Sequence, residues 1–198
     1  MKIGLTGSIA CGKSTVSAYL RELGYPVVDA DAISHALTAP GGAALPALRE
    51  AFGDGVFRGD ALDRGALGRL VFADPAQRER LNRLLHPRII AEVERRLCAY
   101  SGENPLVFAD VPLLYECGMA PLFDSVWVVS APRSAQLARL LERDGLTQEE
   151  AARRIDAQMP LARKEALADA VIDTSGPQEN TRRQVDALLI SARQRRKA

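Results

Sequence analysis

A glycine-rich segment near the amino terminus has the residue types and spacing of a phosphate-binding loop. The residues that match the pattern G-x-x-x-x-G-K-[ST] are Gly7, Gly12, Lys13 and Ser14, after one predicted strand and before one predicted helix. The two glycines permit backbone angles that turn successive N–H groups toward a phosphate, and the helix N-terminus adds a partial positive charge. Lys13 is expected to bridge the β- and γ-phosphates of a nucleotide, and the Ser14 hydroxyl to bind Mg²⁺. Residues 7–14, called the P-loop below, therefore predict a nucleoside triphosphate site, with a chance match in a glycine-rich turn as the alternative.

The P-loop by itself does not choose among kinases, GTPase switches and ATPase motors. A guanine-specifying N-K-x-D segment does not occur in the sequence. The D-x-x-G match at residues 173–176 follows the last predicted strand, which is the wrong place for a γ-phosphate sensor. Motor ATPases need an acidic pair at a strand end and usually a longer chain. These patterns favour a small-molecule kinase that uses ATP.

Acidic residues at two predicted strand ends have positions suited to the reaction. Asp31 closely follows the second predicted strand, where it is expected to face the P-loop crevice and accept a proton from an acceptor hydroxyl. Capping of the following helix by Asp31 or Asp29 is an equally weighted alternative. Asp110 ends an apolar strand, the position of an acid that holds Mg²⁺ or its water shell.

Other polar residues give weaker signals. His86 precedes Pro87, and a lone histidine in that position is more often a packing or capping residue than a ligand. Arg139 and Arg143 lie one helical turn apart before Gly145, so either could meet the negative charge that phosphoryl transfer spreads over oxygen atoms. Most surface arginines have no such role.

Five short apolar runs separated by helical patterns predict the elements that position these residues. Such runs indicate a parallel sheet covered by helices on both faces. We therefore expect an α/β fold with a five-stranded parallel sheet of the P-loop NTPase type. The predicted strands are residues 2–6, 26–29, 106–110, 125–130 and 170–173.

Two helical regions interrupt the alternation of strands and helices. Residues 32–100 are too long for a simple crossover and are expected to form a helical insertion that binds the acceptor substrate. Residues 133–167 are predicted to be helical with a break at Gly145, and they fit a lid or, almost as well, a plain surface hairpin. The nucleotide-binding core would then comprise residues 1–31 and 101–198.

Composition and charge limit the class of protein. The chain has 198 residues, 47% of them hydrophobic, which is enough for a packed core. The net charge of +1 leaves no broad basic surface for general nucleic-acid binding. No stretch approaches the roughly 18 apolar residues of a membrane span. Because the three cysteines are widely spaced and odd in number, we expect a reducing compartment, the cytoplasm. From the charge and the short apolar runs we expect no nucleic-acid or membrane partner.

Motifs along nearly the whole chain resemble those of the dephospho-CoA kinase family. Each motif is moderately specific, and their order and spacing together are strongly so. They are Asp29-Ala30-Asp31, Leu81-Asn82 with His86-Pro87, Asp110-Val111-Pro112-Leu113-Leu114-Tyr115-Glu116, Arg143-Asp144, Gln158-Met159-Pro160 and residues 168–176. The resemblance implies ATP-dependent phosphorylation of the 3′-hydroxyl of the dephospho-CoA ribose, the final step of coenzyme A biosynthesis.

The resemblance also implies roles for individual residues. Asp31 would be the general base, and Lys13 with Arg139 or Arg143 would stabilise charge. The residues implied to bind the acceptor are Asp31, His86, Pro87, Pro112, Leu113 and Glu116. The residues implied to bind ATP are Ser8, Ile9, Ala10, Cys11, Gly12, Lys13, Ser14, Thr15, Thr174, Ser175, Gly176 and Pro177. Mg²⁺ would be held by Ser14 and Asp110.

Several alternatives stay open at this point. Another small-molecule kinase, of the nucleoside monophosphate or shikimate type, shares the P-loop, and a regulatory module would bind ATP without turnover. The chain could be a monomer or a small homo-oligomer. Family members usually have glycine where this chain has Ser8 and Ala10, and we expect these small residues to preserve the loop. Cys11 is either a reactive thiolate beside Lys13 or an inert residue turned inward.

Overall fold

A computed structural model describes residues 1–197 as strands and helices that alternate along most of the chain. In chain order the strands are β1 (Lys2–Gly7), β2 (Val27–Asp29), β3 (Phe57–Arg58), β4 (Ala61–Leu62), β5 (Val107–Asp110), β6 (Ser125–Ser130) and β7 (Ala170–Asp173). The helices are α1 (Lys13–Glu22), α2 (Ala30–Leu37), α3 (Leu45–Phe52), α4 (Arg64–Ala73), α5 (Pro75–Ser101), α6 (Arg133–Asp144), α7 (Gln148–Asp156), α8 (Leu161–Ala166) and α9 (Gln178–Lys197). Within this part of the chain, no helix has both the length and the apolar character needed to cross a membrane.

Five of the strands form a parallel sheet in the order β2-β5-β1-β6-β7. The central strand β1 pairs with β5 on one side and β6 on the other, with Leu5 beside Asp110 and Trp127. β7 extends the sheet from β6, with Ser130 opposite Asp173. Because parallel strands end at one edge of the sheet, the loops after β1, β5 and β7 emerge on the same side. The predicted fold class, a five-stranded parallel sheet with helices on both faces, is confirmed.

Alternation along the central strands separates the two faces of the sheet. Ile3 and Leu5 of β1 lie in the same fully buried cluster as Trp127 of β6. Side chains of α1 and α9, among them Leu20 and Val185, complete this cluster. Both faces of the central strands are buried, which explains why the strands read as continuous apolar runs.

The opposite face of β1 is closely covered by the chain that follows β5. A Cβ atom added at Gly4 would lie 2.6 Å from the Cδ1 atom of Leu114 and 2.9 Å from the ring of Phe123. Real Cβ atoms do not approach so closely, so glycine at this position permits the contact. The segment after Asp110 is therefore packed directly against the strand that leads into the P-loop.

The chain divides into two compact units. The first comprises Met1–Val28 and the chain from Arg96 onward, and the second comprises Asp29–Arg95. The first unit contains the P-loop, α6 to α9 and nearly all of the parallel sheet. The second has a separate apolar cluster centred on Leu48 and Leu67.

The second unit contains one element that the sequence did not predict. β3 and β4 form a two-stranded antiparallel pair, with Phe57 opposite Leu62. The turn between them places Gly59 at a φ of 60°, a left-handed conformation that glycine adopts without strain. Two strands of two residues each give too short an alternation to be recognised as a sequence pattern.

The long helix α5 carries a proline in its interior. Pro87 lies near the middle of this 27-residue helix. Proline has no N–H group, so the carbonyl of Arg83 has no helical donor four residues later. The predicted acceptor residues His86 and Pro87 are thus presented by a helix at a point where its hydrogen-bond ladder is interrupted.

Candidate active site

The P-loop joins the carboxyl end of β1 to the amino end of α1. Gly12, which directly precedes α1, has a left-handed φ of 84°. Ala10 has a φ of 58° and is, among residues 1–197, the one non-glycine residue in this region of backbone conformation. Left-handed geometry costs a residue with a side chain about 1–2 kcal/mol. The loop therefore tolerates Ala10, as expected, but with local strain that its surroundings must offset.

The start of the P-loop has no room for a side chain. A Cβ atom added at Gly7 would lie 2.5 Å from the Sγ atom of Cys11 and 2.6 Å from the carbonyl oxygen of Val129. The second of these atoms belongs to the backbone of β6 and cannot move aside cheaply. Glycine at position 7 is thus required by packing between the loop and the sheet.

Lys13 and Asp110, predicted on the phosphate and metal sides of the site, lie in direct contact. The ammonium group of Lys13 pairs with one carboxylate oxygen of Asp110, and the hydroxyl of Ser17 donates to the other. Asp110 is only 7% exposed. Charge-assisted hydrogen bonds from two partners offset the cost of burying this carboxylate.

A cavity of about 580 Å³ opens beside the P-loop. It collects many of the predicted nucleotide and lid residues, namely Ala10, Gly12, Ser14, Thr15, Arg139, Arg143, Thr174 and Gly176. Three further residues line it that sequence reasoning did not identify: Glu142, Gln178 and Thr181. Gln178 and Thr181 lie in the first turn of α9, directly after the predicted nucleotide-binding segment 174–177. This closeness in sequence is the feature from which they could have been predicted.

Arg139 and Arg143, both in α6, have different surroundings. The guanidinium of Arg139 donates to the carbonyl oxygens of Ala10, at 3.1 Å, and Thr174, at 2.7 Å. It therefore links the strained residue of the P-loop to the chain after β7. Arg143 pairs with its neighbour Asp144 at 2.7 Å, and its side chain is 61% exposed.

The chain after β7 is tied to the P-loop through Thr174. Its hydroxyl donates to the carbonyl of Cys11 at 2.7 Å. Ser175, by contrast, is turned toward Asp173, whose carboxylate accepts its N–H and its hydroxyl, each at 2.8 Å. The carbonyl of Pro177 accepts the N–H of Asn180 and so belongs to the start of α9.

The first residues of the P-loop are held by an amide side chain from the connection between α7 and α8. The Oε1 atom of Gln158 accepts the hydroxyl of Ser8 at 3.0 Å and the N–H of Ile9 at 2.8 Å. Gln158 belongs to a motif noted in the sequence, yet its contact with the P-loop spans about 150 residues and has no local signal.

Three predicted acceptor residues follow β5. The carbonyl of Pro112 accepts the hydroxyl of Thr6 at 3.0 Å, and the side chain of Leu113 is exposed. The carboxylate of Glu116 pairs with the buried ammonium group of Lys164 at 2.8 Å. Sequence reasoning did not identify Lys164.

The remaining predicted residues lie in the second unit. Asp29 is the N-cap of α2, and its carboxylate accepts the N–H of Ala32 at 2.9 Å. Asp31 is exposed in the first turn of the same helix. The capping role thus belongs to Asp29, and the role of Asp31 as a base stays a prediction. His86 and Pro87 lie in α5.

The surroundings of Cys11 favour the inert alternative. Its side chain is buried, and this burial raises the pKa of the thiol above its usual value. The charges of Lys13 and Lys164 lower that pKa, but they do not outweigh the desolvation. Little thiolate is therefore present at neutral pH.

We expect a bulky maleimide to label the exposed Cys98 at least about tenfold faster than Cys11, because thiolate content and access both control the rate. Peptide mass spectrometry over a time course, with and without Mg-ATP, measures both rates in one sample. A Cys98→Ser variant serves as the control for assignment. Labelling of Cys11 as fast as that of Cys98, with protection by nucleotide, would contradict this expectation.

Comparisons of the sequence and of the structure with known proteins agree with each other. A family model described as "CoaE: Dephospho-CoA kinase" matches residues 1–180. A dephospho-CoA kinase from Symbiobacterium thermophilum is 52% identical over 192 residues, which cover 96% of this chain and 80% of that protein. Among solved structures, a protein from Thermus thermophilus is 38% identical with a TM-score of 0.83, covering 96% of this chain and 97% of that one. A dephospho-CoA kinase from Campylobacter jejuni is 27% identical with a TM-score of 0.76, covering 98% of both chains.

Proposed function

We propose that this chain, which belongs to the dephospho-CoA kinase family, transfers the γ-phosphoryl group of ATP to the 3′-hydroxyl of dephospho-CoA, the final step of coenzyme A synthesis. The match of the family model to residues 1–180 carries this proposal. It covers the P-loop, Asp110, the lid arginines and the segment 174–177 together. A P-loop alone would support only nucleotide binding.

The geometry of the first unit supports a site for ATP in the cavity beside the P-loop. Backbone N–H groups between Ser8 and Thr15 would hold the phosphates, with Lys13 at the β- and γ-phosphates. The residues 174–177 would border the adenine. In this arrangement the ammonium group of Lys13 exchanges its contact with Asp110 for phosphate oxygens when ATP binds.

Oxygen donors at the same place are suited to Mg²⁺. Ser14 lines the cavity, and the carboxylate of Asp110 lies at the end of β5 beside Lys13. Hydroxyl and carboxylate oxygens are the ligands that Mg²⁺ prefers. When bound, Mg²⁺ would neutralise phosphate charge and orient the γ-phosphoryl group.

The roles on the acceptor side follow from the motifs of the family. Asp31 would accept the proton of the ribose hydroxyl, a role supported by its exposed carboxylate and by the assignment of the helix cap to Asp29. The helical insertion at residues 32–100 would bind the rest of dephospho-CoA. The residues predicted to contact dephospho-CoA are His86 and Pro87 of α5, and Pro112, Leu113 and Glu116 after β5.

Of the two lid arginines, we assign direct phosphate contact to Arg143 and support of the loop to Arg139. Arg139 is already engaged with two backbone carbonyls, whereas Arg143 is exposed, and its pair with Asp144 is a surface contact that it can exchange at little cost. Charge stabilisation by a planar guanidinium suits the spread of charge over phosphate oxygens.

The expected setting is the cytoplasm, as a monomer or a small homo-oligomer. Cys11, Cys98 and Cys117 are all present as thiols, which suits a reducing compartment. No nucleic acid or membrane is expected as a partner.

An assay of ADP release with a panel of acceptors tests the function. We expect turnover with dephospho-CoA to exceed that with shikimate, with a nucleoside monophosphate or with no acceptor by at least about a hundredfold, because a specific acceptor site orients one hydroxyl for transfer. Mass spectrometry of the product should show one added phosphate. Turnover with shikimate or a nucleoside monophosphate would indicate another kinase type, and nucleotide binding without any turnover would indicate a regulatory module.

A further inference from the structure

Lys164, in the short helix α8, carries a completely buried ammonium group. Its side chain is 0% exposed. Three acceptors surround the Nζ atom: the carboxylate of Glu116 at 2.8 Å, the carbonyl of Pro112 at 3.1 Å and the carbonyl of Gly7 at 3.4 Å. A lysine ammonium group has three N–H donors. Each donor therefore has one acceptor, and the group is fully hydrogen-bonded.

The three hydrogen-bond acceptors belong to two segments whose relative position matters for the reaction. Gly7 is the last residue of β1 and the first of the P-loop. Pro112 follows Asp110 by two residues, and Glu116 lies four residues further along the same segment. Lys164 thus joins the entry to the phosphate site with the chain that leaves the carboxyl end of β5.

A second set of contacts reinforces this junction. Glu116 also accepts the N–H of Met159 at 3.1 Å. The preceding residue, Gln158, accepts hydrogen bonds from Ser8 and Ile9 of the P-loop. The connection between α7 and α8 is therefore attached to the P-loop on one side and to the segment after β5 on the other.

The energetics of burial indicate why a lysine at this position matters beyond stability. Burying an ion pair costs desolvation that its attraction often fails to repay, so well-packed apolar residues would stabilise a fold as well or better. Ion pairs and hydrogen bonds, unlike apolar contacts, fix direction and distance. An ammonium group bonded to one carboxylate and two carbonyls is therefore suited to holding the segments that carry them in a fixed relative position.

We propose that Lys164 is a positioning residue for phosphoryl transfer, which holds Gly7 of the P-loop and the segment from Pro112 to Glu116 in a fixed relative position. This inference rests on the proposed kinase function. It also gives Glu116 a different role from direct contact with the acceptor, because its carboxylate acts through Lys164.

The central test is Lys164→Met, which keeps much of the side-chain length and removes the charge and the donors. Misplacement of reacting groups by about 1 Å can lower turnover by about 10²-fold. We expect kcat to fall roughly tenfold to a hundredfold, while KM for ATP and for dephospho-CoA changes by less than about threefold. The assay is run well below the melting temperature of the variant, so that all of the enzyme is folded.

Two further variants separate positioning from a structural role. Arg163→Met removes a positive charge from an exposed site on the same helix and should keep the kcat of the parent. Lys164→Arg retains the charge and several donors, so its kcat should exceed that of Lys164→Met. A folded Lys164→Met protein with a kcat within about threefold of the parent overturns the proposal, since a merely structural residue lowers the melting temperature and spares the turnover of folded enzyme.

Glu116→Gln keeps the size of the side chain and provides a second route if Lys164→Met does not fold. Positioning predicts a lower kcat for Glu116→Gln with an unchanged KM for dephospho-CoA. Where Lys164→Met folds, the Glu116→Gln, Lys164→Met double variant should be no slower than the slower of the two single variants. A raised KM with an unchanged kcat would instead indicate direct contact between Glu116 and the acceptor and would overturn the proposal.

The parent protein distinguishes failure of this inference from failure of the proposed function. A parent that does not phosphorylate dephospho-CoA overturns both. An active parent with equally active, folded Glu116→Gln and Lys164→Met variants overturns the role of Lys164 alone.

Discussion

Replacement of Lys13 by alanine is expected to leave a folded protein whose turnover of dephospho-CoA is lower by about a thousandfold. The loss has that size because a preorganised cation at the transferring phosphoryl group is among the strongest contributions to this reaction. In the structure the ammonium group of Lys13 lies at the end of β5, paired with Asp110. Steady-state rates of ADP release, with nucleotide affinity measured separately, quantify the effect.

The contact between Lys13 and Asp110 determines the controls. Alanine at position 13 removes one partner of a carboxylate that is only 7% exposed, so the melting temperature should fall as well. A Lys13→Ala, Asp110→Asn double variant removes the unpaired charge and should recover stability without recovering turnover. Lys2→Ala makes the same change on β1, outside the P-loop, and should be nearly as active as the parent. Near-normal turnover of Lys13→Ala would contradict the assignment of this protein as a kinase.

Asp31→Asn is the second substitution with a large expected effect. Asparagine keeps the size and much of the hydrogen bonding of aspartate but cannot accept the proton of the ribose hydroxyl. Turnover should therefore fall by roughly 10²- to 10⁴-fold, while ATP affinity and the melting temperature stay nearly unchanged. All three quantities are measured on the same preparation with dephospho-CoA as acceptor.

Asp29→Asn is the matched control for this test. Asp29 caps α2 through the N–H of Ala32, and asparagine caps about as well as aspartate, so the substitution should cost little stability and little activity. A turnover of Asp31→Asn within about threefold of the parent would mean that Asp31 is not the base. Asp29, or transfer assisted by the substrate through a loose transition state, would then have to supply that function.

Local patterns in the sequence predicted the sheet of this protein and the loop between β1 and α1. Gly7, Gly12 and Lys13 lie close together in sequence, between an apolar strand and an amphipathic helix. The geometry of the P-loop depends on the backbone angles of these few residues, so a local pattern is enough to predict it. The five parallel strands were predicted for the same reason, because each is a short apolar run that can be read by itself. Burial of both sheet faces explains these runs for the central strands β1, β5 and β6. The pair β3-β4 was missed because each strand is only two residues long.

The reactivity of Cys11 and the capping of α2 needed the tertiary structure. Sequence placed Cys11 beside Lys13 at a helix N-terminus, which lowers a thiol pKa, but burial raises it and is the stronger effect. Sequence weighed a catalytic Asp31 equally against a helix cap formed by Asp31 or Asp29. The structure decides which of the two forms the cap, because it shows where helix α2 begins. Asp29 is extended and directly precedes the helix, so its carboxylate can accept a helical N–H group.

What the sequence determined by itself is therefore the fold class, the P-loop and the family motifs, all of which are encoded in runs of neighbouring residues. What only the tertiary structure decided is the support of the site by distant residues. Lys164 reaches Gly7 across 157 positions, and Arg139 reaches Ala10 across 129. A lysine or an arginine on a helix has no local feature that separates a buried donor from a solvated one. Its partners are brought to it by the packing of the sheet and the helices, and this packing gives each donor its acceptors.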